Sequence, residues 1–396
     1  MKWSRAIPPT ALAMVTAWVM SADASHAQNP LGPPTHTPPP PAPKQPLIPS
    51  PVPAPEDPLR KPAKAPASGE ESFDSIVDPA LSARVIAEGL EFTEGPVWIP
   101  GHDNLPGFLL FSDIPADTIY KLDVSKITAQ PDDTRRSESE KAKPEVFLKP
   151  SGFSNGLTLD QKGRLVIAQH VGKVVRRELT DKPDAPSTVL AEKYEGKTFN
   201  SPNDLIVAPD GSIYFTDPPY GVRPPLGPEG RTRELDFTGI YRLSPAGGLT
   251  LLNKSFASAN GLAFSPDFKT LYVTETGNGN IQAFPVNADG TLGDPRLFAC
   301  NDAGSTGAGG RGSKRGADGV RVDVQGHVYA VGPGGVWVYS TAGKLLGKIA
   351  TPTSPTNLCF GGPDNKTLFM TTRDSVCMIN VKIAGMTVPK PAPGRE

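Results

Sequence analysis

The sequence predicts an all-β fold, a six-bladed β-propeller with four-stranded blades. Three observations carry this expectation. One motif recurs six times, in which a residue with a side-chain oxygen opens an apolar strand. These openers are Glu94, Asn155, Asn203, Asn260, Asp318 and Asn357, spaced by 61, 48, 57, 58 and 39 residues. A turn then falls eight residues after each opener, at His102, Gly163, Gly211, Phe268, Gly326 and Asn365. Finally, globular composition runs for about 310 residues, which is long for a single core unless the chain is a closed array of repeats. Radial closure of such an array protects the sheet edges.

Taken in order, the chain opens with residues 1–27, which read as a secretory signal. Lys2 and Arg5 precede a short apolar stretch, Ala11 to Met20, and small residues at Ser25 and Ala27 favour a cut before Gln28. The apolar stretch is too short for a comfortable membrane span, although an uncleaved N-terminal anchor is the alternative reading. Either way the folded part is expected outside the cytoplasm, secreted and, in a Gram-negative source, periplasmic. Residues 28–71 form a proline-rich spacer, with sixteen prolines between positions 28 and 70. The propeller is expected over 72–385 and a short tail over 386–396.

Within the propeller, the first strands include Glu94-Gly-Pro-Val-Trp98 and Asn155-Gly-Leu-Thr-Leu159. The second strands follow the turns, as in Leu109 to Ser112 and Ile213 to Thr216. Third strands are visible at Thr118 to Leu122, Lys173 to Arg177, Gly239 to Leu243, Asn280 to Phe284, Gly335 to Tyr339 and Ser375 to Ile379. Apolar segments such as Glu145 to Leu148 and Leu249 to Leu252 supply the fourth. Arg84 to Ala87 stands before the first opener and is expected to complete the last blade.

In a propeller the first strand of each blade lines the central channel, so the six openers form a ring at one mouth. Side-chain oxygens at all six positions run against the depletion of Asn, Asp and Glu in strands. Converging carboxylates and amides suit a hard divalent cation, which takes six to eight oxygen ligands at about 2.3–2.6 Å in the case of Ca²⁺. Glu94 and Asp318 would balance its charge. Ca²⁺ is the first expectation, with Zn²⁺, Mn²⁺ and Mg²⁺ as alternatives. The absence of Cys and His from the ring argues against a thiolate or imidazole zinc site. For Asn155 and Asn357, capping of their own turns is an equal alternative. Two buried carboxylates facing one channel without a cation would be costly.

Each second strand returns towards the ring, which places His170, Asp217 and the Pro218-Pro-Tyr220-Gly loop around the mouth. His170 reads either as a proton shuttle or as a structural hydrogen-bonding residue. A formal net charge of −1, with no basic run, gives no sign of a nucleic-acid or anionic-membrane partner. Three cysteines form no disulfide framework, and Cys359 and Cys377 read as buried thiols.

Several motifs in one order resemble a known family. Phe92-Thr-Glu94-Gly-Pro-Val-Trp98, Asn200-Ser-Pro-Asn-Asp204, Phe215-Thr-Asp-Pro-Pro-Tyr-Gly221, Asn260-Gly-Leu-Ala-Phe-Ser-Pro-Asp267 and Asp318-Gly-Val-Arg-Val-Asp323 are similar to bacterial gluconolactonase-type members of the senescence-marker-protein/gluconolactonase/luciferin-regenerating-enzyme family. The resemblance covers about Ser82 to Asn380. It implies a six-bladed propeller and a metal-dependent hydrolase opening a sugar lactone. It also implies Glu94, Asn203, Asn260 and Asp318 as metal ligands, with Asp318 as general base or proton relay. Asn155, Ser201, Asp217 and Tyr220 are the candidate substrate-binding residues. Some relatives carry Arg where this chain has Ser201, so sugar identity stays open. Two alternatives remain at this point: another lactonase or a phosphotriesterase, and a non-catalytic propeller that binds a ligand or protein.

Overall fold

Six antiparallel four-stranded sheets succeed one another along the chain. The computed structural model describes residues 71–101, 106–125, 127, 141–180, 182, 185–301 and 316–387. The expected signal segment, the proline-rich spacer up to residue 70, positions 388–396 of the tail and most of the loop after Asn301 lie outside these residues. Blade 1 comprises Thr93–Ile99, Phe108–Asp113, Thr118–Leu122 and Glu145–Leu148. Blade 2 comprises Ser154–Leu159, Leu165–Gln169, Lys173–Arg177 and Ser187–Ala191, and blade 3 Leu205–Val207, Ile213–Asp217, Gly239–Leu243 and Leu249–Asn253. Blade 4 comprises Ala259–Phe264, Thr270–Glu275, Asn280–Pro285 and Arg296–Cys300, and blade 5 Val320–Val322, Val328–Gly332, Gly335–Tyr339 and Leu345–Ala350. Blade 6 takes Pro355–Gly361, Thr367–Thr372 and Ser375–Asn380 from the end of the chain and Arg84–Glu88 from its beginning. The strand before the first opener therefore closes the ring, as expected from the sequence. No α-helix occurs among the described residues, only two short 3₁₀ turns.

The hairpin turns share one backbone device. Gly163, Gly211, Phe268, Gly326 and Asn365 all have positive φ, between 56° and 95°. These are the positions eight residues after the opener. A left-handed residue lets a short turn match the twist of its strands, so the sequence register and the turn geometry agree. At Phe268 a bulky residue adopts this conformation, with Lys269 and Ser265 bonded to the Asp267 carboxylate beside it.

The core is divided into six hydrophobic wedges, one at each junction between neighbouring blades. Between blades 1 and 2, for example, Ile99, Leu110 and Ile119 meet Leu157, Leu165 and Ile167. Between blades 6 and 1, Phe369 and Met378 meet Leu109 and Phe111. Alternation along each strand sends one row of side chains into the wedge on either face, so every blade is buried on both sides. The fourth strands carry exposed apolar residues, Val146, Val189, Leu297 and Leu345. The segment before the ring-closing strand packs Phe73, Ile76 and Val77 into the wedge between blades 5 and 6. Below it His327 Nδ1 lies 2.8 Å from Asp323 and its Nε2 3.9 Å from Glu71. Cys300, Cys359 and Cys377 are free thiols, the last two buried.

Candidate active site

The openers are brought together through contacts between adjacent blades. After four of them stands a glycine, and a Cβ there would strike the next blade's opener. At Gly95 it would lie 1.9 Å from the Asn155 carbonyl, at Gly156 2.4 Å from that of Asn203, and at Gly261 2.6 Å from that of Asp318. At Gly319 it would lie 2.3 Å from the Asn357 side chain. Second-strand hydroxyls tie the same points: Ser112 donates to the Asn155 carbonyl at 2.8 Å, Thr216 to that of Asn260 at 2.7 Å, and Thr274 to that of Asp318 at 2.5 Å. The ring is thus stitched blade to blade at the openers themselves.

Five openers are buried and Asp318 is partly buried. Burial pushes the Glu94 carboxyl well above the usual carboxylate range, and the nearby Asp318 and Asp204 charges push it further the same way. The amides of the ring present different ends. Asn260 donates through Nδ2 to Thr276 Oγ1 at 3.0 Å, leaving Oδ1 as its acceptor. Asn155 donates through Nδ2 to His170 Nε2 at 3.1 Å, and its Oδ1 is buried with no partner among the described residues. Asn357 does the reverse. Its Oδ1 accepts from the Leu358 N–H at 2.8 Å, and its buried Nδ2 is turned to the Glu94 carboxyl, whose charged form it favours. Asn203 is held through its backbone, its N–H on the Thr216 carbonyl at 2.8 Å and its carbonyl on the Gly156 N–H at 2.7 Å.

Two carboxylates with amide oxygens are a hard-cation donor set, and the mutually repelling Glu94 and Asp318, one buried and one partly buried, fit a divalent ion between them. Among the described residues no three His, Cys, Asp or Glu side chains cluster as a metal site. A centre in this ring would therefore need its amides. Asn357, with its donor end turned inward, suits a carboxylate better than a cation.

Most of the residues expected around the mouth are buried rather than open to solvent. His170 is fully buried, with Nδ1 2.5 Å from the Leu226 carbonyl and Nε2 on Asn155. Burial pulls its pKa down to about 4. Asp217 is also fully buried and accepts the Asn200 and Ser201 N–H groups at 2.9 and 2.7 Å. It clamps the loop leading to Asn203, and burial pushes its pKa up to about 7. Asp113 makes the same clamp in blade 1, on the N–H groups of Glu91 and Phe92, and Glu275 binds the Ala257 N–H in blade 4. Ser201 is buried, its hydroxyl donating to the Pro218 carbonyl and accepting from the Gly221 N–H. Tyr220 does reach the ring. Its hydroxyl lies near Ser258, Asn260, Thr276 and Asp318, and burial raises its pKa to about 12.

One residue escaped the sequence reading. Arg321 projects from the inner strand of blade 5, and its Nη1 and Nη2 lie 3.0 and 3.4 Å from the Asp204 carboxylate. Asp204 is fully buried, next in sequence to Asn203, and also accepts the Leu205 N–H. The pair crosses the channel just beneath the ring. Beyond it a cavity of about 530 Å³ opens towards the turns, lined by Trp98, Leu159, Phe264, Phe268, Phe360 and Arg321. This cavity therefore lies on the far side of the ion pair from the ring. A lone Arg in an apolar inner strand was the available sequence signal.

A six-bladed propeller with an oxygen-donor ring at one mouth is the class that fold and site define. The chain belongs to the family described as SMP-30/Gluconolactonase/LRE-like, whose model matches residues 92–374. It is 32% identical to a gluconolactonase of Zymomonas mobilis over 335 residues, covering 79% of this chain and 85% of that protein. A pentonolactonase of Haloferax volcanii is 25% identical, with 73% of this chain and 84% of that one covered. The solved structure of a gluconolactonase from Xanthomonas campestris superposes with a TM-score of 0.62 at 31% identity, covering 78% of this chain and 91% of the other.

Proposed function

We propose that this chain is a lactone hydrolase that opens sugar lactones, with D-glucono-1,5-lactone the first candidate, at a divalent-metal centre held by Glu94, Asn203, Asn260 and Asp318. The observation that carries this reading is the closeness of the Glu94 and Asp318 carboxyls in a ring whose other openers are asparagines, in a family with gluconolactonase relatives. A cation bound there would polarise the lactone carbonyl and lower the pKa of a bound water. Ca²⁺ is the preferred ion, because the donors are hard oxygens and four blades contribute them, at or just before their inner strands.

The chain's own residues supply the rest. Asp318, partly exposed at the mouth, takes the proton from the attacking water and returns it to the leaving ring oxygen. The Tyr220 hydroxyl, protonated at neutral pH and close to Asn260 and Asp318, orients substrate oxygens at the same place. His170 is closed off from solvent and held neutral, which makes it unsuited to shuttle protons. The buried Arg321–Asp204 pair lies on the other side of the ring, and in this reading substrate enters and product leaves by the ring mouth.

The test is a pH-stat assay on a panel of aldonolactones, acyl-homoserine lactones and paraoxon, after EDTA treatment and with each metal restored. Turnover of aldonolactones that EDTA abolishes and Ca²⁺ restores is expected. A fully metal-loaded protein that opens no lactone would sink the proposal.

A further inference from the structure

His170 is linked to the ring by a chain of donors and acceptors that leaves one arrangement. Its Nδ1 lies 2.5 Å from the Leu226 carbonyl, which can only accept, so Nδ1 carries the proton. A neutral imidazole then offers a lone pair at Nε2, and the group 3.1 Å away must donate. The Asn155 amide therefore turns Nδ2 to His170 and Oδ1 the other way. Oδ1 is buried and has no partner among the described residues. Leaving such an acceptor unmet carries its full desolvation penalty, so the arrangement calls for a donor from a bound molecule.

The imidazole is itself fixed by the long loop between the second and third strands of blade 3. A Cβ at Gly221 would lie 2.2 Å from the His170 ring, so the loop backbone rests against its face. Leu226 in the same loop holds Nδ1, and Arg231 bonds the His170 carbonyl and, at 2.8 Å, that of Phe199. Loop, imidazole and amide are one rigid unit ending at the Asn155 oxygen.

We propose that His170 is a positioning residue which, through its unprotonated Nε2, locks the Asn155 amide with Oδ1 facing the ring, where that oxygen accepts a hydroxyl hydrogen from the bound sugar lactone. The inference rests on the lactonase reading above. A polyhydroxy lactone brings several hydroxyl donors, while the two carboxylates already balance a divalent charge, so the Asn155 acceptor serves the substrate. The loop thereby sets sugar preference without touching the sugar at this point.

The test compares His170→Gln, His170→Phe and Asn155→Ala in the full, Ca²⁺-loaded chain. Gln copies the pattern of this tautomer, an N–H towards Leu226 and an acceptor towards Asn155, whereas Phe supplies neither. The expected result is a rise in KM of about tenfold for D-glucono-1,5-lactone in His170→Phe and Asn155→Ala, kcat holding within about threefold, and recovery of most of the loss in His170→Gln. Calorimetric Ca²⁺ affinity is expected to stay at the wild-type value in all three. Nitrogen NMR of the wild-type ring should show a single protonated nitrogen, Nδ1, from about pH 5.5 to 8.

Equal damage from Gln and Phe would overturn the proposal, as would a proton on Nε2. A fall in Ca²⁺ affinity in Asn155→Ala as large as in Asn203→Ala would make Asn155 a cation ligand and overturn it too. A wild type that opens no lactone but shows the Nδ1-protonated ring would defeat the lactonase reading and the substrate half of this one, while leaving the locked amide in place.

Discussion

Replacing Arg321 by Met tests the ion pair between blades 3 and 5. Asp204 is fully buried and the Arg321 side chain is 16% exposed, so neither partner can turn to bulk water without rearrangement. Removing one member of such a pair costs about 3–5 kcal/mol, because the other charge is left uncompensated. Asp204 keeps one donor, the Leu205 N–H at 2.9 Å, which favours the lower end, about 3 kcal/mol. The stranded carboxylate also adds to the field that already raises the Glu94 carboxyl. A loss of about 3 kcal/mol is a large share of a stability of about 5–15 kcal/mol. Urea denaturation followed by tryptophan fluorescence should show the midpoint falling with an unchanged slope. The double variant Asp204→Asn/Arg321→Met, which removes both charges, should regain most of the loss. A single variant within about 1 kcal/mol of wild type, or a double variant no better than the single, would refute the reasoning.

Asp318→Asn should lower kcat by about 10²–10⁴-fold in lactone hydrolysis while binding some Ca²⁺ by calorimetry, and full turnover with metal bound would defeat the base assignment. Gly156→Ala drives a methyl to 2.4 Å from the Asn203 carbonyl, so thermal unfolding should show a loss of about 1–3 kcal/mol together with weaker Ca²⁺ binding. The His327 cation is disfavoured by burial but more than restored by Asp323 and Glu71, so its pKa lies above 6.5 in the folded chain. Its stabilisation is then full below pH 6.5 and fades as pH rises through the folded value. His327→Gln should therefore be less stable than wild type at pH 5.5 and converge with it towards pH 9, by urea titration; a gap that does not change with pH would refute this. For His170, neutral in the fold down to about pH 4, the sign reverses, and its contribution is lost as pH falls below 6.5.

The fold was legible because its signal repeats. Glycine, Phe268 and Asn365 look unlike one another, yet the same distance from an opener gives each a left-handed turn. A local pattern repeated six times averages out the chemistry of any one copy. The site was legible only where it coincided with that register. Glu94, Asn260 and Asp318 were found as ring positions. The burial of His170 and Asp217 was not legible, because strand ends near a mouth look alike in sequence, whether they face solvent or fold back on the backbone. What separates them is the partner: Leu226 for one, the N–H groups of Asn200 and Ser201 for the other. The recurrence of an acid at Asp113, Asp217 and Glu275 was a structural repeat, each copy clamping the loop before an opener. Arg321 and Asp204 lie 117 residues apart, and nothing local in either strand announces the other.

The strand that closes the ring has a consequence for how the protein comes into being. Arg84 pairs with Met378, 294 residues later, and Val85 with Cys377. Arg84–Glu88 is thus among the first parts of the propeller to leave the ribosome and among the last to find a neighbour. Throughout synthesis of the first five blades it remains an unmatched β-segment, and blade 1 shows the newborn chain an uncovered apolar flank. Such a molecule is most vulnerable to sticking to its siblings before it is finished, so slow translation or an early stop should be felt as aggregation more than as lost activity.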